Sequence, residues 1–362
     1  KNVVRSAKET QINIQAIGGF ARQDEDNELG VSSSVNVTRL IHDYGAVDQS
    51  IKAEEQKIIG AQYEIKNQAE NIALTAYQNW INLSVEQKIL SFYDESVSKA
   101  APLVEKIDQI SLSGIADSTM ILKARKEYSE LELKLKNAEV REITSRESFK
   151  NIFNISSIQK LDLLKPKEIK SYKYHESSMI KNSPILNGQR SVIKSLDISK
   201  ASLEAQKKPN ISLKAGVNAP ADNPVKNGSA NVGFLMNYIY DDGGKLDSQI
   251  ETIENRIKYY RNDYDNSLKN LKLELSRSYK TYLGAKDTRD KLRELVMLSK
   301  KVRDNLNNQL STGRAKMQDI LSAEVNLANN EILLINADRE LILSSFKIVS
   351  LSTGLFPNVK WH

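Results

Sequence analysis

Two hydrophobic periods alternate along this chain. Between Thr10 and Arg22 the apolar Ile12, Ile14, Ala16 and Gly18 alternate with Asn13, Gln15 and Ile17. From Gly30 to Ile41, Val31, Val35 and Val37 alternate with Ser32, Ser34, Asn36 and Thr38. A period of two with one apolar face predicts strands over 10–22 and 30–41, joined by the acidic loop Gln23–Glu28. The period then lengthens to steps of three and four, through Val47, Ile51, Ile58, Ala61, Ile65, Ala69, Ile72, Ala76, Trp80 and Leu83. It predicts a helix over 45–111 with a coiled-coil-like seam, about 100 Å long at 1.5 Å per residue. A half-length helix over 117–153 follows, and then the turn-rich, non-periodic 154–171 containing Pro166.

The same order then recurs. A half-helix is expected over 172–207, strands over 210–219 and 228–240, a long helix over 244–310 and a half-helix over 316–351, leaving a tail at 352–362. The second long seam is Leu246, Ile250, Ile253, Ile257, Tyr260, Tyr264, Leu268, Leu271, Leu275, Tyr279 and Tyr282. The recurrence holds residue by residue. Gly114 matches Gly313, Ile121 matches Ile320, Leu122 matches Leu321, Ala124 matches Ala323 and Leu135 matches Leu334, each pair 199 positions apart. Asp43 and Gly45 match Asp242 and Gly244 at the same offset. The expected fold is mainly α with a small β part, built as two tandem repeats: 1–153 and 172–351. By the same offset, Lys1–Glu9 reads as the end of a half-helix whose earlier part would precede the sequence.

Each repeat has two kinds of punctuation. Asp43 and Gly45, and likewise Asp242 and Gly244, sit where a strand ends and a long helix begins. A carboxylate there caps the positive helix N-terminus. Ser113-Gly114-Ile115 and Ser311-Thr312-Gly313 interrupt the helical pattern and read as tight helix-to-helix turns.

Composition narrows the function classes. Aromatics are 6 % and charged residues 27 %, which suits long, partly solvated helices. Cysteine is absent, which excludes disulfides and thiolate chemistry. The histidines, His42, His175 and His362, have no metal-ligand spacing, so neither a metal nor another cofactor is expected. A net charge of +6 over 362 residues fits a solvated surface better than a nucleic-acid site. No run of 18 apolar residues offers a transmembrane helix. There is no phosphate-cradling glycine motif and no nucleophile–base set, so an enzyme is not expected. The strand lengths suit tilted membrane strands of roughly 9–11 residues, and equally a small soluble sheet capping a coiled-coil rod.

The order of half-helix, strand, loop, strand, long helix, glycine turn and half-helix, all doubled, resembles the TolC family of outer-membrane efflux and type I secretion channels. The specific pieces are Gly313-Arg-Ala-Lys-Met-Gln-Asp319-Ile-Leu-Ser-Ala323 and Tyr240-Asp-Asp-Gly-Gly244. The resemblance implies a homotrimer in outer-membrane lipid, with four strands per chain contributing to a twelve-stranded barrel and a long periplasmic helical barrel. It implies a periplasmic adaptor (membrane fusion) protein at the hairpin tips, an inner-membrane ABC or RND pump, and no enzymatic activity. Residues 154–171 and 352–362 would form an equatorial region. Asp319 matches the first acidic position of the family's periplasmic gate. Ser322 stands at the second, Leu310 replaces a tethering tyrosine, and Ala315 replaces its basic partner, for which Arg314 or Lys316 would have to substitute. Two other readings remain at this point: a non-membrane structural coiled-coil protein, and an adaptor-like hairpin protein.

Overall fold

A computed structural model describes residues 2–23, 26–112, 118–220, 228–310, 312 and 314–356, with side chains described for these except 18–32, 110–112 and 220. The chain divides into two compact units, one of residues 1–66 and 184–268, the other of 67–183 and 269–362. Neither unit is one repeat; each draws on both.

The first unit opens with a short helix, α1 (Asn2–Arg5), and a single 3-10 turn, Ser6–Lys8. Its sheet is β1 (Gln11–Gln23), β2 (Asp26–His42), β3 (Asn210–Pro220) and β4 (Ser229–Asn237). All neighbours are antiparallel, in the order β1-β2-β3-β4. β4 stops at Asn237, short of the expected Tyr240. The reason is its partner: β3 begins at Asn210, which pairs with Asn237, so Tyr238–Tyr240 find no ladder.

Two helices of exceptional length leave the sheet, α2 (Ala46–Leu112) and α6 (Lys245–Leu310). In the first unit α2 packs on α5 (Pro184–Gln206) through small residues. Ser202 donates to the Ala46 carbonyl at 2.7 Å, and Ser195 to the Ala53 carbonyl at 2.9 Å. The buried stripe of α2 here is Ala46, Ala53 and Gly60, repeating every seven residues. This corrects the seam expected from hydrophobicity: Ile58, Ile65 and Ile72 lie on an exposed face, at 46 %, 58 % and 68 %. Close backbone approach selects alanine, glycine and serine, which a search for large apolar residues passes over. In α6 the expected seam holds, with Ile257, Leu271 and Leu275 buried.

In the second unit α3 (Ser118–Phe153) and α7 (Met317–Ser352) join the lower part of α2 in one core. Ile81, Val85, Ile89 and Ile107 of α2 meet Ala124 and Leu131 of α3 and Leu321, Ile335, Ile342 and Phe346 of α7. The half-helix expected over 172–207 is two helices, α4 (Tyr172–Asn182) and α5, because Pro184 lacks an N–H and keeps Ser183 extended.

Residues 154–171 form no helix or strand but are tied down at several points. Trp80 donates to the Asp162 carbonyl at 3.0 Å, Arg146 to that of Ile158 at 3.1 Å, and the Lys167 N–H to Ser345 Oγ at 2.9 Å. After α7 the Leu355 and Phe356 N–H groups donate to the Glu70 carboxylate at 2.7 and 3.3 Å. Gly354 is required there: its φ is +81°, and a Cβ would lie 2.9 Å from Glu70 Oε1.

Candidate functional site

Register sorts the sheet into two chemically opposite faces. Ile14 pairs with Val35, Val35 with Val217, and Val217 with Ala230, so these side chains share one face. Ile12, Val37, Ala215 and Val232 form the next row, and Leu213 with Phe234 and Ile211 with Met236 extend it. Apart from Arg39, which pairs with Leu213 near the corner end, the residues of these rows are apolar, and the face is open: Ile14 is 75 % exposed, Val232 75 % and Phe234 76 %. The opposite face carries Gln11, Asn13, Gln15, Ser34, Asn36, Thr38, Ser212, Lys214, Asn218 and Asn231, with Ile17, Leu40 and Leu235 among them. Gly216 sits between two asparagines of that face, where a Cβ would lie 2.8 Å from Asn36 Oδ1 and 3.3 Å from Asn231 Oδ1. An open apolar sheet face of four strands is unstable in water; it fits hydrocarbon or a partner.

Below the sheet, the two corners are built as the sequence predicts. Asp43 accepts from the N–H groups of Gly45 at 3.0 Å and Val47 at 2.8 Å. Asp242 accepts from Lys245 at 3.0 Å and Leu246 at 2.9 Å. The Leu246 N–H, chiefly, holds the Asp242 carboxyl below its ordinary range. Both corners turn through positive φ, at Tyr44 and Gly45 in one and Gly243 and Gly244 in the other. Just inside each helix an aspartate pairs with a lysine that lies shortly before the first strand of its strand pair: Asp48 with Lys8, and Asp247 with Lys207. A cleft of about 600 Å³ lies on the polar side of this corner region, lined by Gln11, Thr38, Asp43, Ser212, Asp242 and Lys245 among others.

In the second unit the end of α6 is closed by its own turn. The Thr312 and Arg314 N–H groups both donate to the Gln309 carbonyl, at 3.2 and 3.0 Å. Thr312 and Arg314 are exposed and Leu310 half-buried. Ser113, Gly114, Ile115, Ser311 and Gly313 lie outside the described residues. Asp319 is exposed and caps α7, accepting the Lys316 N–H at 3.1 Å. Asp319 and Ser322 line one groove of about 500 Å³ between α6 and α7, with Leu298, Val302, Asn326 and Asn330. The Ser322 hydroxyl donates to Glu127 of α3 at 2.9 Å, so a carboxylate the sequence reading did not single out stands beside Ser322.

A buried network closes the C-terminal end of α7. Ser352 Oγ donates to the Ile348 carbonyl at 2.7 Å, so at 2.8 Å it accepts from Nδ1–H of His175. Nε2 of His175 accepts the Lys170 N–H at 3.1 Å. The bond accepted at Nε2 needs the neutral imidazole, and burial, with Lys170 adding to it, pulls the His175 pKa down. Among the described residues no group of three or more His, Asp or Glu is placed to hold a metal ion, and no helix is long and apolar enough to cross a membrane.

No protein-family model and no curated protein matches the chain. Solved structures do. The chain is similar to CusC, whose crystal structures concern transmembrane channel formation, with a TM-score of 0.82 at 11 % identity over 97 % of this chain and 84 % of that one. It is similar to the outer-membrane protein VceC from Vibrio cholerae, at 0.81 and 13 %, over 98 % and 89 %. It is also similar to the CmeC outer-membrane channel of Campylobacter jejuni, at 0.77 and 14 %, over 99 % and 81 %. At such identities the likeness establishes the fold.

Proposed function

We propose that this chain, which has the fold of the TolC-type outer-membrane channels, is one protomer of a trimeric channel in the Gram-negative outer membrane. It is the exit duct of a tripartite export system, taking cargo from a periplasmic adaptor and an inner-membrane pump. The observation that carries this reading is the sheet: apolar on one face, polar on the other, with edge strands β1 and β4 both unpartnered. In hydrocarbon an open edge leaves backbone groups unsatisfied, so a spanning sheet must close. Four strands are too few, and three copies supply twelve. The exposed Ile58, Ile65 and Ile72 stripe of α2 then becomes the seam against a neighbouring protomer. Light scattering on protein extracted from the outer membrane in detergent should give a trimer. A monodisperse monomer with intact strands overturns the reading.

The tips Ser113–Ile115 and Ser311–Gly313 would dock the adaptor, glycine there letting a partner backbone come close. Bulky replacement of Gly114 and Gly313 together should abolish export while the trimer persists; export at the parental level refutes the docking role. Asp319 would combine its capping role with a place in a threefold acidic ring at the narrow end, with Ser322 beside it and Leu310, Arg314 and Lys316 around the turn. Asp319→Asn should then lower cation selectivity and divalent-cation block in a planar bilayer. Unchanged selectivity with a lower melting temperature leaves the cap alone.

A further inference from the structure

We infer that the sheet's polar face carries a cationic station at Lys214, which in the trimer becomes a ring of three ammonium groups drawing anions into the barrel lumen. The inference rests on the trimeric-pore reading above. Lys214 pairs laterally with Thr38 on β2 and Gly233 on β4, which places it on the face of Asn36, Asn218 and Asn231. The neighbouring positions on that face are Gln, Asn, Ser, Thr, Gly, Leu and Ile. Among residues 11–17, 33–40, 210–219 and 229–237, Lys214 is the one charge there, since Arg39 pairs with Leu213 on the opposite face.

Its surroundings neither neutralise nor cover it. Lys214 is exposed, and among the described residues no carboxylate forms an ion pair with it. The adjacent Gly233 contributes no side chain, and a Cβ there would meet nothing within 4 Å, so the lysine extends beside open space. Nor is it at a rim. Lys214 is the fifth residue of the eleven in β3, and Gly233 the fifth of the nine in β4. A lysine at that depth on a lipid face would be strongly disfavoured. On the wet face it carries no such penalty, and low-dielectric walls focus its field into the lumen. Three copies around one axis therefore give a band of wall, otherwise uncharged across residues 11–17, 33–40, 210–219 and 229–237, a local preference for anions: chloride in a simple salt, and carboxylate or phosphate groups on cargo.

The chain has no cysteine, so Lys214→Cys introduces a single addressable thiol. The readout is the reversal potential of single pores in a planar bilayer under a potassium chloride gradient. Lys214→Cys should lower the anion-to-cation permeability ratio by roughly twofold or more at low salt. A positively charged methanethiosulfonate should restore the ratio, and a negatively charged one should lower it further. Phe234→Cys, on the apolar face, should not react with either water-soluble reagent. Lys214→Gln gives the same comparison without labelling. Conducting pores whose ratio is unchanged in both Lys214 variants, and unmoved by either reagent, overturn the cationic ring and leave the channel standing. Failure of the parent protein to form any pore overturns the channel reading itself, and the ring with it.

Discussion

α3 and α7 are the same element of two repeats, and the fold treats them oppositely. Leu122 of α3 is 67 % exposed, while its counterpart Leu321 in α7 is 0 % exposed. α3 buries Ala124, Leu131, Ala138, Glu142 and Phe149 and leaves Leu133, Val140 and Ile143 open, whereas α7 is buried along nearly its whole length. Duplication therefore fixes the local helix but not its neighbours. α7 lies inside the second unit's core and α3 at its margin, where the leucine, valine and isoleucine side chains stay open and would meet a neighbour in the proposed trimer.

The largest effect should separate these two helices. Leu321→Ala should remove about 2–5 kcal/mol of stability by opening a cavity. Leu122→Ala should change stability by under about 0.5 kcal/mol, yet weaken the trimer on dilution in detergent. Equal losses in chemical denaturation would break the contrast.

The corners sharpen it on a smaller scale. At the first, the Ala46 beside the cap is buried, while its counterpart Lys245 is exposed. Asp43→Ala, which strands N–H groups next to a buried position, should cost about 1–2 kcal/mol. Asp242→Ala should lower the melting temperature less, because water replaces the lost acceptor. A reversed order of melting temperatures would show that the exposed corner carries more of the load.

The ends of the half-helices differ as well. α7 is locked through Ser352 by His175, while α3 runs out at Asn154, in positive φ. The His175 pKa is lowered in the fold, so its contribution is present in full above the unfolded value near 6.5 and is lost as the pH falls through the lower, folded value. The melting temperature should drop on acidification in that window, and His175→Gln should flatten the drop. The same slope in the variant would assign the acid sensitivity elsewhere.

The smallest effect belongs to Tyr44, which holds φ +54° where the second corner uses Gly243. Left-handed backbone costs roughly 1 kcal/mol for a non-glycine residue. The ring recovers part of that: its centroid is 4.6 Å from that of His42, and Lys208 Nζ sits 5.1 Å over it. Tyr44→Gly should accordingly change stability by less than about 0.5 kcal/mol in either direction, as read by calorimetry.

By itself the sequence determined whatever depends on neighbours along the chain. Period-two runs give strands with one apolar face, because successive side chains point to opposite sides of a strand. Steps of three and four give the long helices, and Asp followed by Gly gives both corners, since a carboxylate two to four residues before a free N–H reaches it without help from the fold. Tertiary structure alone decided what depends on residues far apart. It chose Ala46, Ala53 and Gly60 over the larger Ile58 and Ile65 as the buried stripe of α2, because α5 approaches through serines and small side chains permit that closeness. It ended β4 opposite the residue where β3 begins, set Glu127 beside Ser322, and made His175 a buried acceptor for Lys170 and a donor to Ser352. None of these contacts has a local signature: each is fixed only when two distant segments arrive together and their polar groups must be satisfied away from water.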